Sequence, residues 1–367
     1  VAVISLENLR HNYNRLRERL SPGVKFMAIV KADAYGHGAV PVSRALEGFG
    51  CDAFGVATVK EGAELRQSGI KRPIVVLGGV YSGDEDAIFS HDLTPVLSDM
   101  DLARTLNAAA VLRKTKKKVH VKIDTGMGRL GLLPGDVKGF LSEFKGCAAL
   151  ELEGVMSHYA EADMEDASFT RSQRETFVAA IDAIKALGFN PAVRHMSNSA
   201  AIVSFPDSHF DMARAGLMLY GAYPMGRRFE KLIDLRPVMT LKSRVAQIKS
   251  VGAGFSVSYG RRFVTERPSR IAAVPMGYAD GLPMVLSGNA EMLVRGMRAP
   301  VLGSICMDTT IIDVTDAEGA NAGDEVVIIG SQGAETITAQ DVAERAGTIS
   351  YEILCKVGPR VERVFKS

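Results

Sequence analysis

Between residue 24 and about residue 220, eight short β-rich runs alternate with amphipathic stretches, and this alternation limits the available folds more than any other feature of the chain. The runs fall at 26–30, 53–57, 73–78, 93–97, 119–123, 150–155, 192–196 and 212–216. Of the stretches between them, 42–50, 101–113 and 171–188 place apolar residues three and four apart, the period of a helix with one buried face. Eight strand-and-helix units in roughly 200 to 250 residues predict an α/β fold, a (β/α)8 barrel of TIM type, whose chemistry gathers at the C-terminal ends of its strands. The competing doubly wound sheet usually has fewer units and a glycine-rich nucleotide fingerprint.

After about residue 236 the pattern changes. VMTLKSRVAQIKSV, RIAAVPMGYA, AEMLVRGMRAPVLG, TTIIDV and EVVIIG read as strands broken by glycine and proline turns, with one short helix near ITAQDVAERAG. The expected division is therefore a barrel over 1–236 and a mostly β domain over 237–367. The join lies near 224–237, where MGRRFEKLIDLRP has no clear period. A chain of 367 residues is long for one core, which agrees with two domains.

Composition excludes several classes of function. A hydrophobic fraction of 47% with 23% charged residues excludes a disordered chain. The formal charge of +2, from 44 basic and 42 acidic residues, provides no net field to recruit nucleic acid or an anionic membrane. The basic run from Arg113 to Lys118 reads as a solvated helix end. No stretch approaches the roughly 20 apolar residues of a membrane span, so a cytoplasmic protein is expected. Cys51, Cys147, Cys306 and Cys355 form no CxxC pair and read as reduced structural thiols. The chain opens on Val1, which implies a natural sequence that begins earlier.

The first run ends in FMAIVKADAYGHG, where five apolar residues lead into Lys31. A lysine partly desolvated at a strand end loses preference for its charged form, and its amine becomes available to an aldehyde. Alternatively, Lys31 only snorkels out of the rim. Tyr35 follows four residues later, so a helical turn would bring both to one pocket. In HVKIDTGMGRLG a glycine pair beside Arg129 suggests backbone close to a ligand and a guanidinium aimed at an anionic oxygen. Lys122, in the same stretch, points inward. An unpaired buried ammonium is costly, so an ion pair with Asp124 or a glutamate is the residue-level expectation.

Polar residues recur at the later strand ends. His158 in SHYA would by itself be a satisfied core histidine, but it is the third strand end to carry such a group. Asn198 and Ser199 look like a cap opening the helix SAAIVSF, a favoured phosphate position after a late barrel strand. Arg214 of the eighth run is expected to point inward, and Gly216 to give a backbone N–H access to an anion. Tyr259, Tyr278 and Tyr351 lie against turns of the second domain, and pattern alone gives them no role.

Together VKADAYGHG, KIDTGMGRLG, SHYA, NSAA, MARAGLMLYG, VSYGRRF, GYADG, GSICMD and SYEI, in this order, resemble the bacterial alanine racemases. These are pyridoxal phosphate enzymes of fold type III that interconvert L- and D-alanine. The resemblance covers nearly the whole chain and implies the same barrel and β domain. It implies pyridoxal 5'-phosphate held covalently on Lys31, which serves as one base. Tyr259 from the β domain of a partner subunit would be the opposed base. Tyr35, Asn198, Ser199, Gly216, Leu217 and Tyr351 would surround the cofactor phosphate. Arg214 would pair with the pyridine nitrogen, with His158 behind it. A cation there favours the unprotonated nitrogen and restrains side reactions such as transamination. Arg129 would meet the cofactor phenolate and the substrate carboxylate, and Lys122 matches a position carbamylated in the family. Met307 and Tyr278 of the partner would border a small substrate pocket, so the resemblance implies a homodimer with shared sites.

Two departures are modest: SHYA has tyrosine where phenylalanine is also common, and HMSNSAA has a spelling of its own. The alternatives are a racemase of broad, serine or lysine specificity, a basic amino-acid decarboxylase of the same fold type, and a non-catalytic cofactor carrier. The strings SYG and GMGR favour the racemase over the decarboxylase, and a carrier has no need of Tyr259.

Overall fold

A computed structural model describes residues 1–224 and 227–367. Met225 and Gly226, at the expected join between the domains, lie outside the described residues.

All eight expected barrel strands are present, preceded by a short strand at the N-terminus. The latter is β1 (Ala2–Ser5), and the barrel strands are β2 (Lys25–Ile29), β3 (Ala53–Val56), β4 (Ile74–Val76), β5 (Leu93–Leu97), β6 (Lys117–Lys122), β7 (Leu150–Met156), β8 (Val193–His195) and β9 (Met212–Ala215). They form one parallel sheet in the order β8-β7-β6-β5-β4-β3-β2-β9. Single bonds from Asp211 N–H to the Arg194 carbonyl and from Arg214 N–H to the Ser197 carbonyl, each 3.0 Å, draw β8 and β9 together. Strands covered on both faces need apolar residues at nearly every position. Accordingly β3, β4 and β5 are buried throughout. The expected helices are also present, at Ala39–Phe49, Met100–Leu112 and Ser168–Ala186.

The second domain is mostly β. Its larger sheet runs Met297–Pro300, Glu291–Val294, Glu325–Gln332, β10 (Met239–Arg244), β1 and Arg363–Lys366, with Glu335–Ile337 on Glu325–Gln332. A three-stranded sheet joins Gln247–Val251, Ser269–Val274 and Thr310–Asp313. The expected division assigned residues 2–5 to the barrel, but β1 lies in the larger sheet, antiparallel to β10 and parallel to Arg363–Lys366. Four residues with Ala2 and Ile4 turned inward are too short a pattern to signal a strand or its sheet. One apolar core runs from the barrel into this domain and includes Ile353 and Leu354 of the helix Ser350–Cys355.

The basic run is not simply a solvated helix end. Lys117 is buried at the start of β6, donates to Asp92 at 2.9 Å and lies over the Phe89 ring. All four cysteines are free. Cys51 and Cys147 are buried, as structural thiols should be, whereas Cys355 is exposed.

Candidate active site

Lys31 leaves β2 into a left-handed turn. Ala32, Asp33, Ala34 and Tyr35 all have φ between 51° and 56°, with ψ between 40° and 53°. The expected helical turn therefore exists with the opposite hand. Each L-residue held this way costs about 1–2 kcal/mol, so the surroundings must fix it. Glu61 Oε1 accepts the Ala32 N–H at 2.8 Å, while its Oε2 takes part in capping the helix Val59–Gln67. His37 Nδ1 contacts the carbonyls of Ala34 and Tyr35 at 3.0 and 2.9 Å, and burial pushes this ring down to about 4, so it is a neutral donor. From the second domain, Arg363 Nε donates to the Gly36 carbonyl at 3.1 Å. Gly36 has φ +81°, and a Cβ there would run into the Leu354 carbonyl.

Lys31 and Tyr35 line a cavity of about 750 Å³ at the C-terminal ends of the strands. Lys122, Arg129, His158, Asn198, Ser199, Arg214, Gly216 and Leu217 line the same cavity. Tyr351 joins them from the helix Ser350–Cys355, which reaches over from the second domain. Asn198 caps the helix Ser199–Ser204 by accepting the Ala201 N–H at 3.0 Å, as its residue type suggests. Gly216 N–H donates to Ser199 Oγ at 2.8 Å, and a Cβ on Gly216 would lie 2.7 Å from Tyr35 Oη. Glycine is therefore required here for close approach, and the result is a small cradle of hydroxyls.

Arg214 is buried beneath the cavity. Its Nη1 donates to the ring Nδ1 and carbonyl of His195, both at 2.9 Å. Its Nη2 donates to Ser157 O at 2.6 Å, His158 Nδ1 at 3.0 Å and Met196 O at 3.0 Å. With both terminal nitrogens committed, Nε–H is the donor left for a molecule in the cavity. Burial, followed by the Arg214 and Arg129 guanidiniums, presses His158 well below its ordinary pKa, so the ring is neutral and accepts.

Lys122 has no carboxylate within ion-pair distance among the described residues, contrary to the residue-level expectation. Asp124 is occupied elsewhere: Oδ1 accepts the N–H groups of Gly126 and Gly128 at 2.9 and 3.1 Å, and Oδ2 that of Arg129 at 3.1 Å. It folds the glycine loop that carries Arg129. Burial first, then Arg129 and Arg214, lower the Lys122 pKa to about 8. Burial and Arg129 also lower that of Lys31. Four cationic groups thus converge on one cavity, an arrangement that calls for an anionic ligand.

The structure does not bring every expected residue into this cavity. Tyr259 is 76% exposed, and Tyr278 and Met307 are also exposed, all on adjoining turns of the second domain. Ser304 Oγ donates to the Tyr259 carbonyl at 3.0 Å, and Tyr278 N–H to the Cys306 carbonyl at 3.0 Å, so these turns form one patch. The cavity also takes in residues that the sequence reading did not select, among them Asp163, Ile349 and Cys355. Cys355 had a usable signal, since it follows Tyr351 by four positions on one helix face. Glu61 and His195 had none, because each acts through a neighbouring element.

Comparison with known proteins agrees with this geometry over the full length. Residues 4–224 match the family "Alanine racemase, N-terminal domain", and 238–365 match "Alanine racemase, C-terminal domain". The chain is 44% identical to an alanine racemase of Halothermothrix orenii, over all of this chain and 96% of that protein. It is 45% identical to that of Geobacter sp. strain M21, over all of this chain and 98% of that protein. A solved alanine racemase of Clostridium difficile 630 superposes with a TM-score of 0.95 at 38% identity, covering all of this chain and 95% of that one. With the barrel, the β domain and the cationic cavity all in place, the chain belongs to the alanine racemase family.

Proposed function

We propose that this chain interconverts L- and D-alanine in the cavity above Arg214, using pyridoxal 5'-phosphate held on Lys31, with Tyr259 of the partner subunit as the second base. The observation that carries the reading is a partly desolvated lysine amine in a cavity whose other charged donors are Lys122, Arg129 and Arg214. The residues fit the cofactor. The hydroxyls of Tyr35, Ser199 and Tyr351, with the Gly216 N–H, suit a phosphate, and Asn198 and Leu217 shape the same end. Burial keeps Tyr35 and Tyr351 protonated, the latter pushed up to about 12, so both can donate. Arg214 Nε–H suits a pyridine nitrogen, and Arg129 suits a phenolate and the substrate carboxylate.

When bound, pyridoxal phosphate supplies an electron-withdrawing ring that acidifies the substrate Cα–H. The protein must then remove a proton from one face of Cα and return one to the other, which takes two bases. Lys31, its pKa lowered, serves one face. Tyr259, exposed on the second domain, is the base proposed for the other face. A homodimer that seats the Tyr259, Tyr278 and Met307 patch over the partner's barrel mouth completes the site and narrows it to a small side chain. The expected division at 236/237 is modified in this reading: residues 6–236 hold most of the cofactor, and 237–367 supply Tyr351 to the same site and the Tyr259 patch to the partner.

Lys122 is proposed to be carbamylated. A neutral amine is the form that attacks carbon dioxide, and the new N–C bond converts Lys–NH2 and CO2 to Lys–NH–COO⁻ with release of one proton. The product replaces a cation that Arg129 repels with an anion that orients it. No described helix is long and apolar enough to cross a membrane, and the reading is of a cytoplasmic enzyme.

The test is incubation of the protein and pyridoxal phosphate with L-alanine in deuterated water. D-alanine carrying Cα deuterium is the expected product. Deuterium incorporated only with retention would remove Tyr259 from its role. Absence of both exchange and D-alanine would overturn the reading.

A further inference from the structure

Behind Arg214 lies a buried chain of hydrogen bonds that none of the roles above requires. His195 Nδ1 faces a guanidinium nitrogen at 2.9 Å, and a guanidinium only donates. The Nδ1 of His195 is therefore a lone pair, and its proton sits on Nε2. That Nε2 is 2.9 Å from His120 Nδ1, which must then accept, so the His120 proton also sits on Nε2. His120 Nε2 lies 3.5 Å from Glu153 Oε2, an acceptor. The donor-only group at one end and the acceptor-only group at the other demand the same two tautomers. His120 and His195 are buried, their rings edge-on at 4.9 Å.

The backbone of β7 is shaped around this chain. Val119 pairs with Leu152 and His120 with Gly154, so Glu153 is an extra residue, a β-bulge. Bulges re-aim side chains next to functional sites. Gly154 follows at once, and a Cβ there would lie 2.6 Å from the His120 ring. Two irregularities side by side on one strand thus serve one ring. Arg129 is a nearby cation that acts on Arg214, and Glu153 is the carboxylate at the far end of the contacts that lead from Arg214 through the two imidazoles.

We propose that Glu153, acting through His120 and His195, is a positioning residue for Arg214: it fixes both imidazole tautomers so that the guanidinium keeps its acceptor and its aim into the cavity. The inference rests on the reading that Arg214 faces the cofactor ring. Groups facing the chain from neighbouring elements are Lys118, which donates to Glu153 Oε1 at 2.7 Å, and His158 beside Arg214. Burial, then Arg214 and His120, hold His195 far below its ordinary pKa, so that ring stays neutral, and the His120 contact leads the causes holding Glu153 at about 2, so that carboxyl stays ionised.

Long-range ¹⁵N–¹H spectra of the histidine rings test it, on the pyridoxal phosphate-loaded protein and on the cofactor-free protein. Wild type should show His120 and His195 as Nε2–H tautomers in both. Any other tautomer in wild type overturns the proposal, whether or not a variant folds. Glu153→Leu should release the tautomers, shift the absorbance of the bound cofactor, and lower kcat about 10- to 100-fold, by analogy with outer partners of metal ligands, with KM little changed. Glu153→Gln, which can still accept from His120, should restore most of the loss, and Lys118→Met should change none of these readouts. Unchanged tautomers and kcat in Glu153→Leu would reduce Glu153 to a partner of Lys118. If wild type binds no cofactor or fails to racemise, it is the functional reading that fails, while the tautomers of the cofactor-free protein still report on the chain.

Discussion

Lys122 shows how much one buried group can reveal. Its pKa lies below the ordinary 10.5 at about 8, so in CO2-free buffer folding expels a proton between those values. The unfolded state binds more protons there, so stability rises with pH from about 8 to 10.5 and is lost as pH falls through 8. The span amounts to roughly 3 kcal/mol. Denaturant titrations across this range should show the slope, and Lys122→Met should flatten it. Adding ¹³CO2 to the wild type should produce a carbamate carbon signal, absent from Lys122→Met. At the positions proposed to react, Lys31→Ala should abolish covalent cofactor attachment, read by absorbance, together with activity. Tyr259→Phe should slow proton exchange from one alanine enantiomer by about 10²–10⁴ and from the other far less, measured as deuterium uptake.

Among the elements, the left-handed turn 32–35 carries the strain of the site. It is held by Glu61 and His37 from the barrel side and by Arg363 from the last strand. Gly36 is the point where the turn meets the Leu354 carbonyl, at a backbone angle that L side chains rarely adopt. Gly36→Ala should therefore destabilise the protein by more than about 2 kcal/mol, seen in thermal melts, and weaken cofactor binding as Lys31 and Tyr35 shift. The sequence made a turn here legible, through two glycines around a histidine, but not its hand. Handedness depends on Glu61, His37 and Arg363, and Arg363 lies at the far end of the chain. The bulge at Glu153 was equally hidden, since an extra residue in a strand is defined only against its partner.

For the whole molecule, the question is where the second base comes from. The cavity of one chain holds Lys31, while the exposed Tyr259, Tyr278 and Met307 wait on the second domain. If two copies share sites, Lys31→Ala and Tyr259→Phe are defective in opposite halves of a site. A mixed dimer of the two has one site with both defects and one intact. Random re-association of the two inactive variants should thus restore about a quarter of wild-type activity, as the two-fold arrangement requires. No recovery on mixing, with mixed dimers present, would place both bases in one chain. Dilution to monomer should remove activity while the cofactor stays bound, checked by absorbance.

The order of strands and helices was in the sequence because burial on both faces of a parallel sheet demands apolar runs that can be read locally, and each of the eight runs proved to be a strand. The residues at the strand ends were also legible, since lysine, arginine and histidine stand out against such runs. What only the tertiary structure decided were relations between distant segments. β1 pairs with the last strand, and Tyr351 and Cys355 reach into the barrel from the second domain. In each case the energy lies in a contact between segments far apart in sequence, and neither segment carries its partner's address.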